Sequence, residues 1–167
     1  MKSSLPKLPD KSDPGQFVLP YYSEGEFSMH ELIEHVLLHY NEAALVRISS
    51  FSITENAVRT FMRLKEQNII ADLTLLLDNN VQRHKLMMLF FGLNVANEIR
   101  LTKNHSKIVL IHYMNRLITI VSSANLNIND KIEAGVITNS IPMWDYFSGK
   151  LQNSWDKAQK IDIHAFA

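Results

Sequence analysis

A change of rhythm along the middle of the chain constrains its fold more than any other feature. Ala44–Ser49 (ALVRIS) is an apolar run suited to a buried strand, and the polar turn Ser50–Thr54 leads from it into the helical segment Glu55–Gln67. Ile69–Leu77 (IIADLTLLL) is a second buried strand closed by Asp78-Asn79-Asn80, after which Val81–Phe91 reads as a helix that Gly92 should stop. Short strands then follow: Glu98–Thr102, a hairpin of His105–Tyr113 and Leu117–Ser122 around Met114-Asn115-Arg116, and Glu133–Thr138. Pro142–Ala158 closes the pattern as a helix with Trp144, Phe147, Leu151 and Trp155 near one stripe. This order predicts an α+β fold, an α/β sandwich in which a mixed sheet is flanked by helices.

The ends of the pattern set the domain organisation. Ser28 caps a helix through Glu31, and Leu32, Val36 and Tyr40 continue one face, so Met29–Tyr40 is the first helix. Four of the five prolines fall in the first twenty residues. Residues 1–27 are therefore expected as an extended arm outside the core, mobile or strapped onto a partner, and residues 28–167 as the single domain. There is no internal repeat, so any chemistry is encoded once.

Composition excludes several classes of function. Seventeen Lys and Arg balance seventeen Asp and Glu, so no long-range field draws a polyanion and any phosphate recognition must be local. The absence of cysteine removes disulfides, thiolate metal sites and cysteine nucleophiles. No signal-peptide core and no apolar run of about 18 residues is present, and the chain is read as soluble and cytoplasmic, with no membrane partner.

The chemistry-bearing stretch is Asn104–Ile137, NHSKIVLIHYMNRLITIVSSANLNINDKIEAGVI. In an extended strand, residues two apart share a face at roughly 6.6–7 Å, so His105 and Lys107 can hold one phosphate together. If the next strand ends at Ser122-Ser123-Ala124-Asn125, its hydroxyls and carboxamide bring uncharged donors to the remaining phosphate oxygens. Glu133, opening the following strand, could hydrogen-bond an imidazole and set its tautomer. Nucleophile, cationic clamp, neutral donors and orienting carboxylate are then all present.

At these residues the sequence resembles the phospholipase D superfamily, whose signature is His-x-Lys, usually an Asp, then Gly-Ser or Gly-Thr and an Asn. Its counterparts here are His105-Ser106-Lys107, Ser122-Ser123 and Asn125, with Glu133 at the family's downstream acid and Ser50-Phe51-Ser52 at the loop bordering the pocket. Two positions depart from the pattern: His112 replaces the Asp and Ser122 the first Gly, and the intervening hairpin is about three residues longer. Strand alternation puts His112 on the face opposite His105. The resemblance implies a metal-independent phosphodiesterase working through a phosphohistidine on His105, with Lys107, Asn125 and Glu133 in the catalytic set and Ser122, Ser123 and Ser50 binding substrate. It implies no cofactor, and a homodimer whose shared site takes one motif from each chain. Nucleic acid, DNA before RNA, is the expected substrate.

Blander readings stand beside these. His-x-Lys alone is most often a solvated strand edge, and the Ser-Ser-x-Asn and Glu at compatible distances are what favour a phosphate site. His35 and His39, four apart on a helix, could both reach one zinc ion, but His30 and His35 miss the i, i+4 spacing and no third ligand is evident, so these histidines are read as surface or partner-facing. Met87, Met88, Phe90 and Phe91 are read as core or interface packing, and Arg47, Lys103 and Arg116 as solvated charges. Ile120, Leu126 and Ile128 are candidates for a dimer interface, with core packing as the alternative. A catalytically silent phosphate-binding module and a phospholipase remain the competing functions.

Overall fold

The computed structural model describes residues 5–12, 15–127 and 130–161. Its first helix, α1 (Met29–Tyr40), starts where the local code predicts. The Ser28 backbone amide donates to Glu31 Oε2 at 2.7 Å, the reciprocal half of a capping box, and Leu32, Ile33, Val36 and Leu37 are fully buried. Strand β2 (Ala44–Ser50), helix α2 (Glu55–Glu66) and strand β3 (Ile70–Asp78) follow as expected.

The apolar segment after β3 departs from the expectation. It is two helices, α3 (Asn80–His84) and α4 (Leu86–Val95), and Gly92 lies buried inside α4 instead of ending it. A Cβ on Gly92 would stand 3.1 Å from Ile99 Cδ1, so the missing side chain lets α4 approach the neighbouring strand. Tertiary packing has overridden the stop signal. Strands β4 (Glu98–Thr102), β5 (Ile108–Tyr113), β6 (Arg116–Ser122) and β7 (Glu133–Thr138), then helix α5 (Ile141–Lys157), complete the predicted order.

Two strands join them that the sequence pattern did not reveal: β1 (Val18–Ser23) and the short β8 (Gln159–Lys160). The sheet runs β1-β7-β6-β5-β2-β3-β4-β8, with β2, β3 and β4 parallel and every other pairing antiparallel. The amino-terminal stretch expected outside the core thus supplies an edge strand, and Leu8, Tyr21 and Phe27 are part of the core. His35 and His39 hold it further, through contacts from Nε2 to the carbonyl oxygens of Pro6 and Pro9 at 3.0 and 2.9 Å. These two histidines, read as surface or partner-facing, face the chain's own arm.

Alternation along β5 divides the interior. Val109, Ile111 and Tyr113 join the main core with α1, α2 and α4, while Ile108 and Leu110 pack with Leu76, Leu151 and Trp155 under α5. Ile120 and Leu126 are fully buried in the main core and do not form an exposed interface; Ile128 lies outside the described residues. Of the Met-Phe cluster, Phe91 packs on the core and Met87 is three-quarters exposed. Among the described residues no helix is long and apolar enough to cross a membrane.

Candidate active site

The sheet brings the candidate residues to one edge. Parallel strand β2 ends at Ser50, and β5, antiparallel to it, begins there with Ser49 opposite Ile108. Strand β6 ends at Ser122 beside that start, and β7 begins at Glu133 beside the end of β6. Strand order reverses direction between β3-β2 and β2-β5, and such switch points at the carboxyl ends of parallel strands open a crevice for ligands.

His105 and Lys107 precede β5 and lie outside the strand His105–Tyr113 that the sequence pattern predicts, yet their heads meet. Lys107 Nζ is 2.9 Å from His105 Nδ1 and donates to the His105 carbonyl oxygen at 2.6 Å. A charged ammonium can only donate, so this contact leaves the proton of a neutral imidazole on Nε2. Burial holds the Lys107 ammonium below the usual lysine range, and the Glu133 carboxylate opposes that shift. The His105 side of the pair is exposed while Lys107 is buried.

The β6 end is tied to this pair through the backbone, Ser122 N donating to Lys107 O at 3.0 Å. The Ser122 hydroxyl accepts from Tyr21 Oη at 2.6 Å and from Ala124 N at 2.8 Å, so it is committed to holding the turn. Ser123 is exposed; its hydroxyl donates to the Glu133 carboxylate and accepts from Ala134 N. Ser50 Oγ donates to Ser52 O and receives Leu126 N at 3.3 Å, which makes it a brace between the two loops. Asn125 Oδ1 is buried with no hydrogen-bond partner.

Asn104, which the sequence reading passed over, organises the approach to His105. Its Nδ2 faces Ser49 Oγ, Leu76 O and Ser50 O at 2.9, 2.9 and 3.3 Å, and its Oδ1 accepts from Ser106 N and Oγ at 3.0 and 2.7 Å. Its own amide donates to Asp78 Oδ2 at 2.8 Å. Its acceptance of the backbone amide two residues on closes an Asx turn, a local preference of Asn that was available in the sequence. Tyr21 is the other missed residue. Its hydroxyl crosses from β1 to the motif, and no local pattern announces a contact across 101 residues.

His112 lies on the opposite face, exposed, with its ring 5.9 Å from that of Trp144. Both line a cavity of about 260 Å³ with Leu45, Arg47 and Asp72 that shares no lining residue with the candidate site.

No family model matches the sequence, and neither does any curated protein. Solved structures do match in shape. NucT from Helicobacter pylori superposes with a TM-score of 0.68 at 13% identity, covering 88% of this chain and 100% of that one. Polyphosphate kinase from Porphyromonas gingivalis gives 0.60 at 14% identity, over 92% of this chain and 25% of the kinase. TrmBL2, an archaeal chromatin protein described as showing a novel mode of DNA binding, gives 0.56 at 12%, over 93% of this chain and 57% of its own. Phosphatidylserine synthase from Haemophilus influenzae gives 0.57 at 14%, over 86% and 39%. At such identities the likeness speaks for the fold: a mixed eight-stranded sheet flanked by helices, the phospholipase D/nuclease-like fold.

Proposed function

We propose that the chain is a metal-independent phosphodiesterase that cleaves nucleic acid, DNA in preference, through a phosphohistidine in a site shared by two copies. The observation that carries this reading is the contact of the Lys107 ammonium with the His105 imidazole, beside the β6–β7 strand ends where Ser123 donates to Glu133. An incoming phosphate competes for that ammonium. Once Lys107 turns to the phosphate oxygens, Nδ1 is free to carry the proton and Nε2 to attack.

In the proposed reaction a bond forms from His105 Nε2 to phosphorus and the phosphorus–oxygen bond to the leaving strand breaks. The leaving oxygen takes its proton from His105 of a second copy. That imidazole then removes a proton from water, whose oxygen displaces His105 from phosphorus and restores both rings. Lys107 and Asn125 hold the equatorial oxygens, Ser123 assists, and Glu133 supports the cationic imidazole.

Plasmid, single-stranded DNA, RNA and a phosphatidylcholine analogue, incubated in chelator, separate the readings. We expect DNA cleavage by the wild type, none by His105→Asn, and near-normal cleavage by His112→Ala. Activity lost in chelator and restored by a divalent ion would remove the phosphohistidine route. Unfolding wild-type and His105→Asn chains together and reassembling them at random should make activity fall as the square of the wild-type fraction, whereas a linear fall refutes the shared site. The second reading, a silent DNA-binding module, is favoured by the match to TrmBL2. Its signature is binding without turnover.

A further inference from the structure

Phe51 follows the last residue of β2, half-buried, with its ring centroid 5.2 Å from that of His105 and tilted by 52°. The loop carrying it is braced on both sides. Ser52 Oγ donates to Asn127 Oδ1 at 2.8 Å, Thr54 N to Leu126 O at 3.0 Å, and Lys85 Nζ to Ile53 O at 3.1 Å. The backbone beside the ring is therefore held before any ligand arrives, and little loop entropy is lost on contact. Its chain neighbours Ser50 and Ser52 are buried and spend their hydroxyls on Ser52 O and Asn127 Oδ1, which leaves the ring and the His105 imidazole as the contact pair at this point. An acyl chain needs an extended apolar surface, whereas a single flat ring beside the imidazole suits a flat ligand.

We propose that Phe51 is a stacking wall for the nucleobase next to the scissile phosphate, which makes single-stranded nucleic acid the preferred form of substrate. This rests on the nuclease reading above and adds to it the part of the substrate that is recognised besides phosphate. Every base has a π face, so the wall confers strand-form preference without sequence preference.

The test uses short single-stranded oligodeoxynucleotides with intact bases or with an abasic nucleotide beside the cleaved phosphate. Wild type should lose roughly tenfold in kcat/KM on the abasic substrate, the scale of one base-to-aromatic stack. Phe51→Ala should lose the same factor on the intact substrate and nothing further on the abasic one, and Phe51→Trp should restore it. Equal losses by Phe51→Ala on both substrates would mean that the ring only positions His105, and would overturn the proposal. Binding is read separately in the His105→Asn protein, where 2-aminopurine at the flanking position should be quenched with Phe51 present and not with Phe51→Ala. Cleavage of no oligonucleotide defeats the nuclease reading, while quenching that depends on Phe51 still supports the wall; no quenching with Phe51 intact defeats the wall itself.

Discussion

Replacing Asn104 by alanine tests whether the segment before His105 is held as described. The side chain is 8% exposed and is the shared partner of Leu76 O, Ser50 O, Ser49 Oγ and both polar groups of Ser106. The Ser49 and Ser106 hydroxyls already lie 2.6 Å apart and can satisfy each other, so they are discounted. That leaves two carbonyls and the Ser106 amide losing a partner. At about 1–3 kcal/mol for a buried group left unsatisfied, and with water entering the vacated space to relieve part of it, we expect a loss of about 3 kcal/mol. For a chain of this size that is a fall of about 6–12 °C in Tm. Urea denaturation measures the loss, and hydrogen exchange at the Ser106 amide locates it. Asn104→Asp should be no milder, because it sets a third oxygen against the two carbonyls. A loss under about 0.5 kcal/mol, or a Ser106 amide that exchanges as in the wild type, would refute the network as the support of the His105 segment.

Two further perturbations address the fold around the site. At Gly135 an added Cβ would collide with Val121 O and stand 2.6 Å from Tyr21 Oη, so Gly135→Ala should cost about 1–3 kcal/mol in urea denaturation, and a neutral result would mean that β1 does not lie against β7 as described. His30 is buried, and burial pushes its pKa below the usual histidine value, against the opposing pull of Glu31 and Glu34. The unfolded chain then binds a proton near pH 6.5 that the folded chain takes up only at lower pH, so stability falls as pH drops from about 6.5 through the folded pKa. His30→Gln should flatten that fall between pH 7.5 and 5; parallel profiles would show that His30 contributes nothing to it.

Much of this architecture was legible because its causes are local. The capping box at Ser28 and Glu31, the apolar runs of β2 and β3 and the turn at Met114 each follow from residues a few positions apart. The pairing of His105 with Lys107 was legible from their closeness in sequence, although the strand expected to align them begins only at Ile108. The meeting of Ser123 at the end of β6 with Glu133 at the start of β7 also followed from reading three consecutive antiparallel strands.

What the sequence alone left undecided depends on contacts between distant segments. Val18–Ser23 has strand-favouring Val and Tyr but is interrupted by Pro20, which fits only an edge; it is a strand because β7 offers an open edge and Gly135 makes room for Tyr21. Gly92 reads as a stop until Ile99 is set against it. Ile120 and Leu126 read equally well as interface or core, and only the assembled sheet buries them. Local patterns state what a segment can become, and tertiary packing selects among those possibilities, because the free energy of burial is settled only when the opposing surface is in place.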